Sequence, residues 1–182
     1  MAKTRYSFLQ RLLHWVIVVI VFGLLVIGFT LWYLGFEGAV NLFGNDLTNQ
    51  LYGYHKSFGI TVFLLVVLRL LLFRFAPPPP YDPPLGKVEW AVSGGVHLLL
   101  YLLLLGMPIV GWVATATGGF PIQFFGWDQP GLDNKNEALS QQLFLIHGIS
   151  GLVLLGLILV HIGGAIMHWR RRDGVMRRIG LP

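Results

Sequence analysis

Apolar residues run along this chain in four long blocks, each parted from the next by a short polar, glycine-rich or proline-rich break. Roughly 20 apolar residues suffice for a helix to cross the hydrocarbon of a bilayer, and every block reaches that length. The pattern predicts helices over about 12–34, 51–75, 90–115 and 141–169. The first block is longer than the 7–15 apolar residues of a signal peptide core and runs into Trp32 and Tyr33. It therefore reads as a retained helix. Residues 35–50 hold Glu37 and Asp46 but no Lys or Arg, and are expected to form a loop. The PPPPYDPP run at 77–84 ends the second helix, because proline lacks the amide donor and clashes with the preceding turn. Pro108 is expected to kink the third helix, which neighbouring helices in a membrane accommodate. The longest connection, 116–140, carries GGFPIQFFGW, read as an aromatic segment at the membrane interface. Trp32, Tyr33, Tyr52, Tyr54, Trp112 and Trp127 are read as belts at the two interfaces.

The expected fold is all-α: one integral membrane four-helix domain spanning 1–182. Of the 182 residues, 55% are hydrophobic and 12% charged, about half the charge of a soluble domain. The net charge of +5 is no nucleic-acid signal, because the cations flank the apolar blocks. Lys3, Arg5, Arg11, Arg74, Lys87, Arg170, Arg171, Arg172, Arg177 and Arg178 all fall on one side; only Lys56 and Lys135 fall on the other. By the positive-inside rule both termini are expected in the cytoplasm. The chain has no cysteine, which removes thiolate metal sites, disulfides and covalent haem attachment through Cys-x-x-Cys-His. No phosphate-binding glycine loop, dinucleotide fingerprint or nucleophile elbow occurs.

Ionisable side chains inside membrane helices are costly and usually functional. The fourth block carries His147 and His161, fourteen residues apart. At about 100° per residue that is some 40° short of four turns, and about 1.5 Å per residue separates them by roughly 21 Å along the axis. Both imidazoles thus point to nearly one side, one towards each surface. Topology places His14 at the depth of His161, and His55 at the depth of His147. Two imidazoles facing across a bundle suit a bis-histidine haem b, and bundle cores are where such cofactors are held. Gly59 and Gly151 stand four residues after His55 and His147, on the same helix faces, where a flat macrocycle needs the absence of a side chain. A zinc site wants about four ligands and each layer supplies two. The competing reading of each histidine is a helix–helix hydrogen bond.

QRLLHW near the start, His55 within YGYHKSFG, HLLLYLLLLGMPIVGW in the third block, and His147 and His161 in the fourth together resemble the bacterial cytochrome b561 family. The resemblance spans essentially the whole chain, and the histidine spacing is its most specific part. It implies a four-helix protein of the bacterial inner membrane with two non-covalent b haems, held by His14 with His161 and by His55 with His147. It also implies electron exchange with ubiquinone. Some members oxidise superoxide at the outer face; others are cytochrome b subunits of hydrogenases and other membrane-bound dehydrogenases.

The remaining polar residues take their candidate roles from that frame. His97 and His168 are candidates for hydrogen-bonding a quinone carbonyl and delivering protons; the plainer readings are a helix–helix contact and an interfacial residue. Arg69 either pairs with a haem propionate, since a guanidinium matches a carboxylate bidentately, or snorkels to the surface. Lys56 is a candidate propionate partner or attractor for superoxide, or a plain interfacial lysine. Arg5 and Arg11 read as topology signals and lipid contacts. Three function classes follow: a self-contained oxidoreductase passing electrons from superoxide or another donor to ubiquinone, a cytochrome subunit docked to a partner dehydrogenase, and a non-redox metal transporter using paired histidines.

Overall fold

A computed structural model describes residues 4–181; Lys3, counted among the cations above, lies outside them. Helix α1 spans Phe8–Phe43, α2 Asn45–Phe75, α3 Lys87–Thr117 and α4 Glu137–Arg171. Among the described residues these four helices are long and apolar enough to cross a membrane. Two short strands, β1 (Ile122–Phe124) and β2 (Trp127–Gln129), and a single-turn α5 (Val175–Ile179) complete the chain. The protein is an integral membrane four-helix bundle. Its outward apolar side chains remain uncovered, with Val19 71% and Leu159 62% exposed, as a lipid solvent requires. The buried centre is narrow: Ile17 and Val21 of α1, Val62 and Val66 of α2, and Leu154 of α4, with Leu104 and Met107 of α3 packed against them.

The ends of the helices depart from the expected boundaries. Helix α1 opens with a capping box: the Gln10 amide donates to Ser7 Oγ at 3.3 Å, and the Ser7 amide to Gln10 Oε1 at 3.0 Å. This satisfies donors that the first turn leaves free. The expected 35–50 loop is helical instead. Gly35 (φ 65) breaks the direction of α1 and Gly44 (φ 80) starts α2, so two glycines make the reversal with a helical segment between them. The left-handed φ at each is available to glycine without steric cost. Helix α3 stays helical through Pro108.

The 116–140 connection also holds regular structure. The strands β1 and β2 pair antiparallel, with Ile122 opposite Gln129 and Phe124 opposite Trp127. Phe125 (φ 47) and Gly126 (φ 90) form the tip, and positive φ at both central residues matches the twist of a two-residue hairpin. The hairpin lies on α2: Ser57 Oγ accepts from the Phe125 amide at 3.0 Å, and Lys56 Nζ donates to the Pro121 carbonyl at 2.9 Å.

At the opposite end the two chain termini meet. Arg5 donates to the carbonyls of Arg177 (3.0 Å) and Gly180 (2.9 Å), Arg11 to Gly180 (2.7 Å), and the Trp15 indole to Ile179 (3.1 Å). Arg178 donates to the Pro79 carbonyl and stacks over the Tyr81 ring at 3.7 Å.

Candidate functional site

Two histidine pairs face each other across the bundle. His55 on α2 and His147 on α4 have ring centres 6.0 Å apart, and His14 on α1 and His161 on α4 have ring centres 6.3 Å apart. With metal–imidazole nitrogen bonds of about 2.0 Å and each ring centre about 1.1 Å behind its nitrogen, two imidazoles gripping one metal from opposite faces stand about 6.2 Å apart. Both pairs match that spacing. Among the described residues no group of three or more His, Asp or Glu side chains could hold a metal ion. A pair of imidazoles therefore fits a metal whose other ligands arrive with it, as the four nitrogens of a haem do.

The pair formed by His55 and His147 is the more tightly built. The His147 Nδ1 lies 3.1 Å from the Met107 carbonyl. A carbonyl only accepts, so Nδ1 carries the proton and Nε2 is left with its lone pair, the usual arrangement behind a metal-bound histidine. His55 Nδ1 is buried and has no hydrogen-bond partner. Each ring lies against a glycine of another helix. A Cβ on Gly28 would stand 2.9 Å from His55 Cε1, and one on Gly111 would stand 3.1 Å from His147 Cε1. Of the two glycines read as packing against a macrocycle, Gly59 has nothing within 4 Å of where its Cβ would stand, whereas Gly151 faces Phe29 and Met107 at 3.7–3.8 Å. Gly28 and Gly111 escape sequence reading because their partners lie on other helices.

The layer of His14 and His161 contains a third imidazole. His97 on α3 lies 5.0 Å from His161, ring centre to ring centre, and its Nδ1 is 2.6 Å from the Ser93 carbonyl. Arg69 does not reach the surface. It is 7% exposed, and donates to the Gln10 carbonyl of α1 and to the Tyr101 hydroxyl of α3, the latter at 3.1 Å. It thus joins three helices beside this layer, without a carboxylate partner among the described residues. Lys56 follows His55 but is turned to Pro121 in the hairpin. His168 stands apart from both pairs at the end of α4, with Nδ1 2.6 Å from Asp173 Oδ2. Burial works against the Asp173 carboxylate; the hydrogen bonds from His168 and the Val175 amide outweigh it and hold its carboxyl below the usual range.

Comparison with known proteins identifies the family. Residues 5–180 match the family described as prokaryotic cytochrome b561. The chain is 30% identical to cytochrome b561 homolog 2 of Escherichia coli K12 over 68% of its length and 62% of the relative's. It is 25% identical to cytochrome b561 homolog 1 of the same organism, over 69% of this chain and 72% of that protein. It is 26% identical to a probable superoxide oxidase, CybB, of Yersinia pestis, over 63% of this chain and 65% of that one. The matches thus span less than two thirds of homolog 2 and of the Yersinia protein. A family match over residues 5–180, on a bundle of four helices long and apolar enough to cross a membrane, places the chain: it belongs to the prokaryotic cytochrome b561 family.

Proposed function

We propose that this protein holds two b haems, one between His14 and His161 and one between His55 and His147, and passes electrons through them to ubiquinone from superoxide or another small donor. The two histidine pairs, with centres 6.3 and 6.0 Å apart, carry this reading. Held by His14 with His161 and by His55 with His147, the haems would supply one-electron chemistry. The chain's part is to grip, orient and insulate. Met107 sets the tautomer of His147, Gly28 and Gly111 let the rings sit close to the helices, and apolar side chains between the layers exclude water. The fourteen residues from His147 to His161 place the layers roughly 21 Å apart along α4.

The charge distribution supports both termini facing the cytoplasm, which puts the layer of His55 and His147, under the hairpin, on the outer side. Superoxide as donor is supported by the likeness to the probable superoxide oxidase. Two superoxide ions would give two electrons and leave as oxygen; ubiquinone would take both electrons and two protons. His97, beside His161, and His168 are the candidates for contacting quinone and moving those protons. Arg69 is a candidate propionate partner next to the layer of His14 and His161, and Lys56 a candidate attractor of anions on the outer side.

A reduced-minus-oxidised absorption spectrum of the purified protein, with haem quantified per chain, tests the proposal. Sharp low-spin b-type bands with two haems per chain are expected. In His55→Ala one haem should be lost or altered and the other should remain six-coordinate. Equal loss of both in a folded variant would overturn the assignment to separate layers, and one haem per wild-type chain would overturn the two-haem reading.

A further inference from the structure

The end of α4 carries a cluster of arginines to which the proposed electron transfer assigns no role. Arg172 (φ 55) and Gly174 (φ 84) turn the chain back, so that α5 brings Arg177 round to Arg170 and Arg172. The three arginines, with His168, Trp169, Gly174 and Met176, line a cavity of about 580 Å³. The nearby acids are engaged elsewhere, Glu89 by Arg171 and Asp173 by His168. Among the described residues none of the three guanidinium groups has a hydrogen-bond or ion-pair partner. Trp169 is 68% exposed at the end of a 35-residue helix, where tryptophan marks the membrane–water boundary.

We propose that this cavity is a binding site for the phosphodiester headgroup of an anionic phospholipid drawn from the surrounding bilayer. Three guanidinium groups without a counter-charge are the chemistry of phosphate recognition, because the planar fork donates two parallel hydrogen bonds to phosphate oxygens. Basic pockets at the ends of membrane helices take anionic headgroups in this way. A quinone is a poorer occupant: its neutral carbonyls use one or two donors and compensate no charge. Free phosphate would use the arginines but not the apolar wall of Trp169 and Met176, which suits the glycerol and first acyl carbons of a lipid. Of the lining only His168 figures in the proposed quinone chemistry, and its Nδ1 is turned to Asp173 at 2.6 Å; the arginines carry the lipid proposal whichever donor or acceptor the protein serves.

The test is native mass spectrometry of the detergent-purified, haem-containing protein with phosphatidylglycerol and phosphatidylcholine at equal concentration. Phosphatidylglycerol should be retained roughly tenfold to a hundredfold better. The Arg170→Gln/Arg172→Gln/Arg177→Gln variant should bring the two lipids to parity. Arg171→Gln, which removes a charge from the same helix end but not from the cavity lining, should keep the preference. If the triple variant does not fold, Arg177→Gln alone, on the exposed side of α5, should lower the preference severalfold. Equal retention of both lipids by the wild type, or an unchanged preference in the folded variants, would overturn the proposal. Displacement of the lipid by a short-chain ubiquinone would reassign the cavity to quinone, and displacement by millimolar inorganic phosphate would reassign it to a soluble anion.

Discussion

Gly28 is seated against a ring it does not neighbour in sequence. Its Cα faces the His55 imidazole closely enough that an added methyl would stand 2.9 Å from Cε1, inside any ordinary carbon–carbon contact. The ring cannot retreat freely, because His147 faces it and must keep its own distance. Gly28→Ala is therefore expected to tilt or push His55 and to lower occupancy or shift the bands of one haem, leaving the pair of His14 and His161 untouched. On the proposed two-haem assignment, haem content falling from about two towards one per chain, with half of the low-spin signal intact, would be the observation. Unchanged spectra would mean that the ring adjusts within its pocket. At this scale the histidines are legible in the sequence, because depth along an apolar block and a spacing of fourteen residues are properties of one chain segment. The glycine contacts and the Met107 hydrogen bond are not, since each depends on which helix faces which, and a glycine among the 23 in this chain carries no mark of its partner.

Among the elements, the hairpin is what local pattern conceals. Phe124, Phe125 and Trp127 read equally well as an aromatic patch at an interface, and β1 and β2 have only three residues each. Phe125–Gly126 is the turn signal, disguised by a phenylalanine where asparagine or aspartate is the usual occupant of a left-handed position. The knee at Gly35 and Gly44 is hidden differently. Its glycines and acids suggest a loop, yet FEGAVNLF between them has the residues to stay helical, and Ala39 is fully buried. What fastens the hairpin is Ser57, 2% exposed. Its hydroxyl donates to the Gly53 carbonyl at 2.8 Å and accepts from the Phe125 amide at 3.0 Å. Ser57→Ala would leave the Phe125 N–H without its partner, a local cost of about 1–3 kcal/mol. Hydrogen exchange across residues 122–129 should then accelerate roughly tenfold to a hundredfold, with exchange in the four long helices unchanged. Exchange that stays at the wild-type rate would show that ring packing, Phe58 on Phe125 at 5.2 Å, and the Lys56 bond to Pro121 hold the hairpin without Ser57.

The whole molecule is a bundle held by different means at its two ends and in its middle. In the middle only a handful of side chains are buried, and lipid supplies no hydrophobic force between helices. At the end where the termini meet, cationic side chains do the joining, mostly by donating to backbone carbonyls, Arg5 and Arg11 to Gly180, Arg69 to Gln10 and Arg178 to Pro79, with an ion pair, Arg171 to Glu89, between α4 and α3. Hydrogen bonds from charged donors are worth about 1.5–3 kcal/mol each, and burial of Arg11, 8% exposed, makes loss of its partner the more costly. Removing residues 175–182 would strip the acceptors from Arg5, Arg11 and Trp15 in one step and leave Arg11 facing an emptied site. The thermal midpoint of the purified protein is expected to fall by roughly 5–10 °C, from about 2–4 °C per kcal/mol at this chain length. Haem content at low temperature should change little in the layer of His55 and His147, whereas His14 lies against the Trp15 ring that Ile179 anchors, so any loss should fall on the layer of His14 and His161. A midpoint within about one degree of the full chain would mean that water replaces the lost carbonyls at no net cost, which exposed Arg5 permits and buried Arg11 does not.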